Sequence, residues 1–184
     1  MKTRNFLALA VLALGFGFTM NAQKTVMVGG AAMYPNKNII ENAVNSKDHT
    51  TLVAAVKAAG LVETLQGKGP FTVFAPTNEA FGKLPAGTVD NLLKPENMKM
   101  LQTILTYHVV AGKMNSSDIA KAIKAGKGKA VLKTVSGGTL TAWMEGKDLY
   151  ISDENGNKSK VSIADVNQSN GVIHVVDTVL LPKM

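Results

Sequence analysis

An α+β fold is predicted by the order in which two periodicities occur along the chain. Apolar residues at helical spacing dominate the first half, and short β-type runs separated by Gly- or Asn-rich turns dominate the second. One early run, Phe71-Thr72-Val73-Phe74-Ala75, is β-favouring and lies between Pro70 and Pro76, so it reads as a buried strand that must join the later sheet. A chain of 184 residues with a mass of 19.4 kDa suits one core rather than two.

The first 22 residues are set apart from that core. Lys2 and Arg4 precede an almost unbroken apolar run, Phe6 to Phe18, and Ala22 supplies a small residue before Gln23. That is the pattern of a secretory signal peptide, with an apolar run too short for a comfortable membrane span, so no integral membrane segment is expected after cleavage. Residues 23–37, with Gly29-Gly30, read as a flexible or edge-strand lead-in, and residues 38–184 as the domain.

Within the domain, Asn36 or Asn38 is placed to cap a short helix through Ile39, Ile40, Ala43 and Val44. A second helix starts at the cap candidates Asp48 to Thr51, runs through Leu52, Val53, Val56 and Ala59, and stops at Gly60. Leu61 to Leu65 is a short helix or turn. After the Phe71–Ala75 strand, Thr77 or Asn78 caps a helix with Glu79 in its first turn, Thr88 to Leu93 forms another, and Pro95 fits the start of one carrying Met98, Leu101, Ile104 and Leu105. The pattern turns to strand at Tyr107-His108-Val109-Val110. Ser116 or Ser117 caps a helix that ends at Gly126. Four β-type runs follow, at Ala130 to Val135, Thr139 to Met144, Asp148 to Ile151 and Lys160 to Ile163, before a terminal strand in which Val172, His174 and Val176 alternate with Ile173, Val175 and Asp177.

Three separated segments, Phe71-Thr72-Val73-Phe74-Ala75-Pro76-Thr77-Asn78-Glu79-Ala80-Phe81, Tyr107-His108-Val109-Val110 and Asn170 to Pro182, occur in the order found in fasciclin (FAS1) domains, and the resemblance covers roughly residues 38–182. It implies a wedge-shaped β-sandwich of about seven strands with several packed α-helices, and a non-catalytic adhesion or binding role. In animal fasciclin domains a Tyr-His motif and an Asp-Ile motif are linked to adhesion. Tyr107-His108 matches the first, and Asp118-Ile119 resembles the core of the second without its flanks. The resemblance therefore implies Tyr107, His108, Asp118 and Ile119 as candidate binding residues, each with the competing reading of a fold determinant. The implied partner is a cell-surface or matrix protein or glycan, and the implied location is extracellular or periplasmic.

Composition narrows the remaining classes. The net charge of +7 falls to about +5 once Lys2 and Arg4 leave with the signal, and aromatics are only 5%, so nucleic acid is not an expected partner. Cysteine is absent, which removes disulfides and a lipid-attachment thiol. No metal or cofactor is expected, because no two His residues share a helix face and Asp153-Glu154-Asn155-Gly156-Asn157 has hairpin-turn rather than EF-hand spacing. Leu180-Leu181-Pro182 ends the domain so near the last residue that no sorting tail is expected.

Two alternatives to adhesion stay open. One is a hydrolase using His108 or His174 with a distant carboxylate, although alternation places His174 and Asp177 on opposite strand faces. The other is a carrier of a small apolar ligand in a crevice between helices and sheet. The densest basic stretch, Lys121, Lys124, Lys127, Lys129 and Lys133, is either a solvated face or a contact for an acidic surface.

Overall fold

The computed structural model describes residues 25–183, so the expected signal peptide lies outside the described residues. Helices fill the first half: α1 (Ile39–Ala43), α2 (Thr50–Ala58), α3 (Val62–Gln66), α4 (Asn78–Gly82), α5 (Thr88–Leu92) and α6 (Met98–Tyr107), followed by α7 (Ser116–Ala125). The strands are β1 (Val26–Val28), β2 (Ala31–Met33), β3 (Phe71–Pro76), β4 (Val109–Ala111), β5 (Ala130–Lys133), β6 (Thr139–Glu145), β7 (Asp148–Ser152), β8 (Lys158–Gln168) and β9 (Gly171–Val176).

Seven strands form one sheet in the order β4-β3-β9-β8-β7-β6-β5. All neighbours are antiparallel except β3 and β9, which run parallel from Phe71 opposite Gly171 to Pro76 opposite Val176. β8 belongs to both halves, pairing β7 through Lys158–Lys160 and β9 through Val161–Gln168. The sheet curls until Val110 bridges Thr134 and the Val135 amide donates to the Val109 carbonyl at 2.8 Å, which nearly closes a barrel.

The curl divides the apolar residues into two cores. The first, under α1 to α6, includes Ile40, Val56 and Leu105; the second, inside the curled sheet and covered by α7, includes Ile119, Leu140 and Ile151. β3 and β9 alternate between them. Val73, Ala75, Ile173 and Val175 face the first, whereas Phe74 and Val176 face the second, which explains why both strands are apolar on both faces.

Some local expectations hold, among them the Asn38 and Thr77 caps and a strand-forming lead-in, and others need correction. The lead-in is folded: β1 and β2 form a hairpin around Gly29-Gly30 that buries Val28 and Met33 in the first core. Asn38 caps α1 by a capping box with Glu41. The cap of α2 comes from afar. Asn78 Oδ1 accepts from the Thr51 amide at 3.0 Å, leaving Thr77 to cap α4 through the Ala80 amide. The residue preceding α7 is Asn115, not a serine, and the Asp118 carboxylate reaches back to the Asn115 amide at 3.1 Å. The left-handed residue after α7 is Lys127 (φ 56°), while Gly126 is needed because a Cβ there would collide with the Lys129 carbonyl.

β8 is longer than its apolar run suggested, because two bulges carry it on to Gln168. At the second, Asp165 adopts φ 59°, and its carboxylate accepts from the Ser116 amide at 2.6 Å and from the Ser116 hydroxyl, tying the bulge to the start of α7.

Asn170 joins the helical layer to the sheet. Its Oδ1 accepts from the Ile39 amide at 3.0 Å, and its Nδ2 donates to the Leu65 and Gly67 carbonyls at 2.8 Å each. Asn170→Ala is expected to lower stability by roughly 2 kcal/mol, since three backbone groups lose their partner. Asn170→Asp, which turns a carboxylate oxygen towards the Leu65 and Gly67 carbonyls, should be at least as destabilised as alanine in a urea titration at neutral pH.

Candidate functional site

Tyr107 and His108 stand where α6 gives way to β4. The change from helix to strand frees backbone groups; His108 serves one of them, the Ile104 carbonyl, whereas Tyr107 reaches across to the start of β6 and the 153–157 turn. Tyr107 is fully buried; its hydroxyl donates to the Thr139 carbonyl at 2.7 Å and accepts from the Glu154 amide at 3.1 Å. Burial is the main reason that its pKa is pushed up to about 12. The ring also fills the space left by Gly138, where a Cβ would meet Tyr107 Cε2 at 2.7 Å.

His108 is buried, with Nδ1 at 2.8 Å from the Ile104 carbonyl and Nε2 accepting from the Leu180 amide at 3.0 Å. This pattern fixes the neutral tautomer with the proton on Nδ1. Burial lowers its pKa to about 4, outweighing the Ile104 carbonyl and the negative Asp153, both of which raise it. Asp153 completes the junction. Its carboxylate accepts from the amides of Asn155, Asn157 and Leu181 and from the Asn157 side chain, so the expected hairpin turn also holds the C-terminal segment.

Ile119 is fully buried in the same core as Tyr107. Asp118 is the exception among the four candidates, with a side chain 43% exposed and 3.5 Å from Lys121. The structure thus brings Tyr107, His108 and Ile119 to the interior rather than to a common surface. A partner docking on the closed domain meets neither ring nor the Ile119 side chain.

His174 is also fully buried, 5.6 Å from Phe74 in a stacked arrangement. Its Nε2 lies 2.9 Å from the Met114 carbonyl, and its Nδ1 accepts a long bond from the Asp165 amide at 3.4 Å. Burial lowers its pKa, against opposing effects from the Met114 carbonyl and Asp165. Both nitrogens of His108 and of His174 are engaged with backbone, so neither ring offers the free nitrogen beside a carboxylate that a histidine-dependent hydrolase needs.

The exposed surface is chemically uneven. The five lysines gather at the corner made by α7, the following loop and β5, and all are exposed. No acidic residue occurs from Ile119 to Met144, and Lys121 alone among the five has an acidic partner within 4 Å among the described residues. Val131, beside them on β5, is 69% exposed.

Sequence reading did not single out the outer face of β6 and β7. There Trp143 and Tyr150 are cross-strand partners with ring centroids 5.9 Å apart, and Lys158 Nζ lies 3.8 Å from the Tyr150 centroid and 2.6 Å from Glu145 Oε1. Alternation with the buried Leu140 and Ala142 was the available signal for Trp143.

The described residues thus form an α+β domain with a nearly closed seven-stranded sheet and a buried Tyr-His junction. Comparison with known proteins gives the family. A profile described as Fasciclin domain matches residues 47–182, and the chain belongs to the fasciclin domain family. It is 45% identical to Protein sll1483 of Synechocystis over 184 residues, covering 97% of this chain and 95% of that one. It is 34% identical to the Cell surface glycolipoprotein MPB83 of Mycobacterium bovis, covering 88% of this chain and 68% of that protein. It is also 41% identical to the Transforming growth factor-beta-induced protein ig-h3 of Sus scrofa, covering 71% of this chain but 17% of the longer protein. Among solved structures, the FAS1 domain pair of the insect cell adhesion molecule Fasciclin I superposes with a TM-score of 0.70 at 21% identity, covering 80% of this chain and 51% of that pair. The chain thus spans about half of the pair and shares its fold. No helix among the described residues is long and apolar enough to cross a membrane.

Proposed function

We propose that the protein is a non-catalytic adhesion or binding module acting outside the cytoplasm, at a cell surface, in the matrix or in the periplasm, and that it takes an anionic glycan on the α7–β5 corner. The observation that carries this reading is the acid-free stretch from Ile119 to Met144 with its five exposed lysines. Ammonium groups at one corner, of which only Lys121 has an acidic partner within 4 Å among the described residues, attract a flexible polyanion, whereas the buried Tyr107, His108 and Ile119 hold the scaffold that presents them. The cell-surface and adhesion proteins among the relatives support this class of role.

Binding to immobilised polygalacturonate should be saturable, should weaken steeply with added salt, and should be absent on neutral dextran. Changing Lys121, Lys124, Lys127, Lys129 and Lys133 to Gln together is expected to weaken it by about tenfold or more, from the combined loss of several exposed charge contacts. The same protein should unfold at an unchanged urea concentration. Equal binding by the quintuple variant and wild type, or equal binding to dextran, would overturn the reading.

A further inference from the structure

The lysine corner continues onto an aromatic face. On β5 the outward residues Val131 and Lys133 stand opposite Thr141 and Thr139 of β6, and Trp143 is the next outward residue of β6 in that row. Trp143 in turn stands opposite Tyr150 of β7. Lysine and rings therefore share one side of the sheet, spread over about 13 Å of β6 between Thr139 and Trp143.

The indole is held in place. Its Nε1 donates to Glu145 Oε1 at 3.0 Å, the same oxygen lies 2.6 Å from Lys158 Nζ, and Tyr150 stacks on it with planes 22° apart. Trp143 is half-buried, so part of this fixed ring stays in water. A ring that is already fixed loses little freedom when a ligand covers the remainder. The acids beside the rings are matched by cations: Glu145 pairs with Lys158, and Asp148 with Lys160 at 2.7 Å. At the other end of the row the Glu154 carboxylate accepts from the Thr139 amide and hydroxyl, which steers an anionic chain from the lysines towards the rings rather than past Thr139.

We propose that the outer face of β5, β6 and β7 is a sugar-stacking subsite, in which a pyranose ring of an acidic polysaccharide lies on Trp143 while carboxylates of neighbouring sugars meet the lysines. The inference rests on the glycan reading and narrows it from any flexible polyanion to a chain of acidic pyranose sugars. Sugar C–H bonds carry partial positive charge and the face of an indole is negative, so stacking adds an attraction that a ringless polyanion cannot make. Lysines alone answer to charge; Trp143 lets the surface tell an acidic sugar from a phosphate chain.

Trp143 is the one tryptophan of the sequence, so its fluorescence reports on this face directly. Oligogalacturonate should change that fluorescence saturably in the wild-type protein, and polyphosphate of matched charge should bind without doing so. Trp143→Leu should weaken oligogalacturonate roughly fivefold and polyphosphate less than about twofold, as expected for loss of one stacked ring. Trp143→Phe, which keeps a smaller ring, should fall between leucine and wild type, and urea midpoints show that each variant is folded. Oligogalacturonate that binds without moving the fluorescence, an equal response to polyphosphate, or equal weakening of both probes in Trp143→Leu would overturn the subsite and leave the lysine corner standing. No binding of oligogalacturonate at all would overturn both.

Discussion

Tyr107→Ala is expected to lower the stability of the domain by roughly 4 kcal/mol, the range for removing a buried aromatic ring. The loss has two parts. The ring packs among Ile119 and Leu140 in the second core, so its deletion leaves a cavity beside Gly138, and the missing hydroxyl strands the Thr139 carbonyl and the Glu154 amide. Domains of this size hold about 5–15 kcal/mol in all, so the alanine variant should lose a large share of its margin and unfold at a clearly lower urea concentration. Tyr107→Phe separates the parts: it keeps the ring and should cost about 1–2 kcal/mol. Urea titrations of the three proteins test this, and an alanine variant within about 1 kcal/mol of wild type would show that the junction does not hold the fold. Any loss of adhesion in such a variant would then report unfolding rather than a lost contact.

Acid is expected to weaken the fold before its carboxylates are protonated. His108 is neutral in the native state down to about pH 4, whereas in the unfolded chain it takes up a proton near its ordinary value of 6.5. The unfolded state therefore binds more protons between those limits. The stability contributed by the neutral ring is fully present above pH 6.5 and drains away as pH falls towards 4, by roughly 3 kcal/mol from this residue. His49 and His174 are also shifted downward by burial and act in the same direction. Urea midpoints measured from pH 7.5 to 4 should fall throughout this window, and His108→Gln should show a shallower fall from a lower starting point. A flat profile would mean that the histidines are hydrated or protonated in the native state.

The fold was legible where a single residue type answers a local demand. Pro70 precedes β3 and Pro76 is its last residue, the apolar faces of β9 marked it as a central strand, and Gly60, at φ 67°, follows the end of α2. It was less legible where a local segment is completed from a distance. Asn78 looked like the cap of its own helix but caps α2, and Asn170 supplies bonds to residues more than a hundred positions earlier. β8 was cut short because its bulges interrupt the alternation on which strand reading depends.

The candidate site divided in the same way. Tyr107 and His108 stood out in the sequence, but the two polar tips serve backbone groups, a geometry that becomes visible only when the 153–157 turn and residues 180–181 arrive. The lysine cluster was visible from its spacing, whereas its place beside Trp143 and Tyr150 could be found only in three dimensions.

The parallel pairing of β3 with β9 also dictates a timetable. Residues 71–76 find their central neighbour at 171–176, about a hundred positions later, and β9 is also the neighbour of β8. Until that last strand is synthesised, β3 has only the short β4 beside it, and the two halves of the sheet have no common member between β3 and β8. Such long-range closure is slow and must await a nearly complete polypeptide. The partly made chain is thereby kept from locking prematurely, and a truncation that reaches Gly171–Val176 removes the keystone rather than a trailing edge.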